Sequence, residues 1–149
     1  MQRRIVRVMG PGAVVAALAI AAPGLAASSG APHHNVRFTE NGVGASISRT
    51  QVVYKVHTSV AGNGAAVVTA TGATTDTAVV YFVGASSDVR DRFKLGAPNG
   101  QGVSTFTGGG HFVGGTGKFK HVRGSFTFSG TYDITAGILR YTESGTTSY

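Results

Sequence analysis

Between Gly108 and Asp133 the chain reads GGGHFVGGTGKFKHVRGSFTFSGTYD, a glycine-rich stretch running into a regular alternation. Phe126, Phe128, Tyr132 and Ile134 fall on one side, with Ser125, Thr127, Ser129, Thr131 and Asp133 on the other. A period of two belongs to a β-strand with one buried and one wet face. That commits this part of the chain to a sheet, and composition extends the argument to the rest. From residue 27 onward there are two leucines (Leu95, Leu139) and no methionine, against fifteen valines and seventeen threonines. β-Branched and aromatic residues suit a pleated surface, and strong helix formers are scarce.

The first residues read differently. Arg3, Arg4 and Arg7 precede an uncharged apolar run, Ala13–Ala22, followed by Pro23, Gly24 and small residues at Ala26 and Ala27. This is the order of a secretory signal peptide, and the run is too short for a membrane-spanning helix. The expected organisation is a cleaved signal peptide over 1–26, a flexible N-terminus over 27–34 and one β-barrel domain over 35–149. Cleavage is expected after Ala26 or Ala27, with Ala31 as the alternative. Arg3-Arg4 raises twin-arginine export beside the general secretory route, although Arg7 interrupts the apolar positions that should follow. The expected location is extracellular or periplasmic.

About 120 residues then remain, enough for one core. There is no cysteine, so neither a disulfide framework nor a lipidated cysteine is available. Three of the thirteen basic residues and none of the six acidic ones lie in the leader, which leaves the domain at +4. Apart from Lys118, Lys120 and Arg123 the bases are scattered. That is no dense basic stripe, so nucleic acid is not an expected partner; mild attraction to an acidic envelope or polymer stays open.

Asn41-Gly42, Asn63-Gly64 and Asn99-Gly100 read as hairpin turns. Strands are expected near 35–40, 45–58, 65–71, 77–83, 102–107, 110–114, 118–122, 124–134 and 137–143. Ser86–Pro98 is expected to be an irregular connection with one helical turn. Short strands at this spacing make a sandwich or a closed barrel, and the length fits eight strands with tight turns. A membrane barrel would need apolar lipid-facing bands and usually a terminal aromatic strand. The polar end Thr142–Tyr149 argues against one.

At GGTGKFKHVRG the chain resembles the allene oxide cyclase and dirigent protein superfamily, whose members carry Gly-Gly-(Thr/Ser)-Gly-x-Phe, a short strand and another glycine. Gly114, Gly115, Thr116, Gly117, Phe119 and Gly124 match, and the likeness covers the last third of the chain. Physically the motif is structural: glycines allow a tight corner and Phe119 plugs the barrel wall. The resemblance implies an eight-stranded antiparallel barrel, often trimeric, with an apolar cavity open at one end. It implies a cofactor-free isomerase or cyclase that works by holding a reactive ligand in one conformation. No catalytic residue carries over from the motif. A phosphate loop is excluded, since GGTGK lacks the longer spacing, the following helix and the hydroxyl residue after Lys118.

Candidate ligand-binding residues come from strand positions. Tyr54, Tyr81, Tyr132 and Tyr141 have an apolar body and a hydroxyl suited to a cavity wall. Arg140 is a candidate carboxylate binder, and wall packing or solvent exposure is the plainer role for each of the five. Asp133 reads as a turn cap, and Asp88, Arg90, Asp91 and Arg92 as a charged loop with weak local ion pairing. His57, His111 and His121 match no zinc spacing, and no metal or cofactor is expected. A Ser-His-Asp hydrolase lacks a Gly-x-Ser-x-Gly elbow.

The leading expectation is a non-catalytic binder of a small hydrophobic molecule. A cyclase and a solid-cored interaction protein are the alternatives. Side chains filling the lumen would favour the last. A perturbed acid or tyrosine facing a cavity would favour the cyclase. Monomer and homotrimer are both open, the trimer being favoured if the apolar face of Thr77–Val83 points outward.

Overall fold

A computed structural model describes residues 35–149; the expected signal peptide and flexible N-terminus lie outside the described residues. The chain forms eight strands: β1 (Val36–Ser46), β2 (Gln51–Thr58), β3 (Gly62–Ala70), β4 (Thr75–Phe82), β5 (Ala85–Leu95), β6 (Val103–Thr116), β7 (Arg123–Asp133) and β8 (Ile138–Ser148). Each pairs antiparallel with its successor, and β8 returns to β1 in a register running from Val36 opposite Thr147 to Ala45 opposite Ile138. The sheet is therefore a closed up-and-down barrel with no free edge, the expected fold class. Among the described residues no helix is long and apolar enough to cross a membrane.

Alternation sorts the faces. Phe38, Tyr54, Val56, Ala66, Val80 and Phe126 are buried inside. On the outer face of β7 and β8 stand Ser125, Thr127, Ser129 and Thr131, then Arg140, Thr142, Ser144 and Thr146, all exposed. These hydroxyl-rich strands cannot supply their part of a continuous lipid-facing band.

Several glycines sit inside strands because rings lie over them. A Cβ at Gly42 would fall on the Tyr141 ring, one at Gly108 on Phe128 and one at Gly64 on Phe82, 2.8 Å from its nearest ring atom. Removing the side chain beneath a ring lets the aromatic residue fold across the wall. Hence Asn41-Gly42 lies mid-strand in β1 and Asn63-Gly64 lies inside the start of β3, and neither forms the expected turn. For the same reason 102–107 and 110–114 are one fourteen-residue strand, β6, running through Gly108–Gly110.

Asn99-Gly100 does form a turn, in the β5–β6 loop. Asn99 Oδ1 accepts hydrogen bonds from the backbone N–H groups of Gln101 and Val103, both at 2.9 Å. Replacing Asn99 by Ala removes both bonds and is expected to cost about 1–2 kcal/mol. Asn99→Asp keeps the acceptor and should cost less, and thermal melts of the two variants check the difference.

Two other expectations are corrected. Ser86–Pro98 is not an irregular connection: residues 85–95 form β5, with Val89, Asp91 and Phe93 inward and Arg90, Arg92 and Lys94 exposed outside. The expected strand 118–122 is a 3-10 turn over Gly117–Phe119, continued by a hydrogen bond from Val122 N–H to the Phe119 carbonyl (3.0 Å). Three-residue spacing on such a turn puts Phe119 and Val122 on one side. They bury against Ala85 and close the barrel end, rather than plugging its wall. Gly117 (φ +56°) and Gly124 (φ +139°) flank this closure in conformations that other residues rarely adopt.

Candidate functional site

An eight-stranded barrel is just wide enough for its own side chains to fill, or to hold one small ligand. Here Ala66, Ala78 and Ser87 take inward positions where larger residues would fill the axis, and a cavity of about 460 Å³ remains. The Phe119 cluster closes it at one end. At the other, Ser48, Arg49 and Thr50 of the β1–β2 loop and Gly72 and Ala73 of the β3–β4 loop form the rim. Phe38, Val68, Val80, Phe106 and Phe128 supply apolar wall.

Of the five candidate residues, three line this cavity: Tyr54, Tyr132 and Tyr141. Tyr54 and Tyr141 meet edge to face, with ring centroids 5.0 Å apart. Tyr81 and Arg140 do not reach it. Tyr81 lies on the outer face of β4, 51% exposed, and Arg140 is exposed beside the inward Tyr141. Successive residues of a strand face opposite ways, so Arg140 and Tyr141 cannot share the lumen.

The sequence reading missed the cavity's acids. Glu40, Asp76, Asp91 and Glu143 all line it, four of the six acidic residues in the chain. They come in two cross-strand pairs: Glu40 opposite Glu143 on β1 and β8, and Asp76 opposite Asp91 on β4 and β5. Like charges directly opposite each other are unfavourable, and burial in apolar surroundings adds to the cost. A signal for them existed. Each lies on the apolar parity of its strand, as in Asp76-x-Ala78-x-Val80 and Tyr141-x-Glu143.

The two pairs handle this differently. The Tyr141 hydroxyl donates to Glu40 Oε1 at 2.5 Å, which favours the ionised carboxylate and offsets part of the upward shift that burial imposes on Glu40. Glu143 is pushed up to about 9 by burial and by the charge of Glu40, so at neutral pH it keeps its proton. Burial above all, then the neighbouring Glu40 and the hydrogen bond donated to it, hold the Tyr141 phenol firmly in its neutral form. Asp76 is raised to about 6 by burial. Asp76 and Asp91 each bury one carboxyl oxygen that has no hydrogen-bond partner. An orphaned buried acceptor of this kind costs roughly 1–3 kcal/mol.

His57 bonds Asn63 on the outer surface (2.8 Å), and His111 and His121 are exposed. Among the described residues, no group of three or more His, Cys, Asp or Glu is arranged to hold a metal ion. Asp133 caps the β7–β8 turn, its Oδ1 accepting from Ala136 N–H at 2.9 Å. The fold and site thus define a closed eight-stranded barrel with an apolar, acid-bearing lumen. No protein-family model, curated protein or solved structure matches the chain.

Proposed function

We propose that this is an exported barrel of the allene oxide cyclase and dirigent type that binds a small, mainly hydrophobic molecule in its lumen. The observation that carries the reading is the cavity itself. At about 460 Å³, walled by aromatic and aliphatic side chains with a few convergent polar groups, it has the size and make-up of a small-molecule site. A solid-cored interaction protein would have filled that space. Superfamily membership is supported by the glycine motif at Gly114–Gly124 and by the strand count, and export by the leader pattern in residues 1–26.

A second reading, a cofactor-free isomerase or cyclase, is favoured by one specific feature. Glu143 keeps its proton at neutral pH beside Glu40, whose Oε1 accepts from the Tyr141 hydroxyl. A carboxyl that holds its proton at neutral pH, set beside a second carboxyl and a phenol in an apolar cavity, is the kind of cluster from which a proton can be moved on a bound substrate.

Binding is tested with N-phenyl-1-naphthylamine, a neutral dye that brightens in apolar surroundings. Fluorescence should rise with the wild-type protein and fall toward background when Ala66 or Ala78 is replaced by Phe to fill the lumen. A rise that survives both replacements places the dye elsewhere and rejects the reading.

A further inference from the structure

Charge in this protein is sorted by face. Four of its six acids line the cavity, whereas of the ten lysines and arginines among the described residues only Arg49 does, exposed at the rim. No lysine, histidine or other arginine stands among the lining residues to neutralise Asp76 and Asp91, which oppose each other across β4 and β5. Each carboxyl also buries an oxygen that no donor meets.

A ligand that is only a hydrocarbon would leave those carboxyls uncompensated in a drier cavity, and an anionic one would be repelled. An organic cation removes the difficulty, because an ammonium group brings a positive charge and only donor hydrogens. Apolar wall from Val80, Phe106 and Phe128 gives its carbon body a place to lie. A bare metal ion would use the acids and waste that wall.

We propose that the occupant of the lumen is a lipophilic amine in its protonated form, with the ammonium group held at the Asp76–Asp91 pair and the apolar body in the barrel. This deepens the binding reading above and rests on it.

The test is competition against bound N-phenyl-1-naphthylamine at neutral pH by three ligands of one shape: 4-phenylbutylamine, 4-phenylbutanol and 4-phenylbutyrate. The amine should displace the dye at concentrations roughly tenfold or more below the alcohol, with the carboxylate weakest. In Asp76→Asn/Asp91→Asn the amine should lose that advantage while the alcohol keeps its own affinity, which also shows that the variant is folded. Asp88→Asn, which removes an acid of β5 that does not line the cavity, should retain the preference. Equal displacement by amine and alcohol, or an advantage that survives the double replacement, overturns the proposal and leaves the apolar cavity standing. If the dye never enters the wild-type lumen, both the cavity reading and the amine fall together.

Discussion

Stability is expected to fall as the pH is raised from about 5 to about 9, against the usual trend in which acid destabilises a fold. Glu143 rises from 4.5 to about 9 and Asp76 from 3.8 to about 6 on folding, and Glu40 moves the same way. Burial is the largest cause each time. Between its unfolded and folded values each group holds a proton in the native state that the unfolded chain has released. The native state then binds more protons, so the free energy of unfolding decreases with pH. The stabilising contribution is complete below about pH 4 and is lost as pH passes the folded values, first through Asp76 near 6 and later through Glu143 near 9. At about 1.4 kcal/mol per unit, the loss from Glu143 alone is on the order of several kcal/mol, a large share of an ordinary domain's stability. Urea unfolding at about pH 5, 7 and 9 measures it. Glu143→Gln should flatten the upper part of the profile, and Asp76→Asn the part below about pH 6. A profile that is level or rises across this range would show that the lumen carboxyls are well solvated, and would remove the electrostatic basis of the site.

How far this architecture could be read from the chain depended on where the deciding contact lay. The alternation over 124–134 was local, and β7 occupies Arg123–Asp133. β5 was obscured because Asp88, Arg90, Asp91 and Arg92 look like a solvated loop; the period of two runs through them, with Val89, Asp91 and Phe93 inward. Gly42 and Gly64 carry the local mark of turns, yet their roles are set by rings on strands distant in sequence, Tyr141 and Phe82. No window of a few residues contains that information. Tyr81 sits in a strand apolar on both faces, so parity could not assign it. Arg140 and Tyr141 were a different matter: adjacent strand residues face opposite sides, and only one could have been inside. The acids were legible as parity and illegible as chemistry. An acid on the apolar side of one strand is an oddity, and only barrel closure turns four of them into a site.

The second large effect is expected at the closed end, where Phe119→Ala should cost roughly 3–5 kcal/mol. Phe119 is 3% exposed and packs with Val122, itself 1% exposed, and Ala85. Its ring meets Phe82 at 5.6 Å and Tyr149 at 4.9 Å, and Lys118 Nζ lies 4.9 Å from its centroid. Truncation therefore loses more than transfer energy. Phe119→Leu, which keeps most of the volume, should cost much less. Urea midpoints with an unchanged dependence on denaturant would assign the loss to the native packing. The same replacement bears on function, because these side chains separate the lumen from solvent at that end. With the ring gone, N-phenyl-1-naphthylamine should exchange faster than through the rim alone, and its binding should weaken as water gains a second entrance. A cost below about 1 kcal/mol together with unchanged dye exchange would mean that Phe119 only decorates the turn and that the barrel end is closed by the backbone.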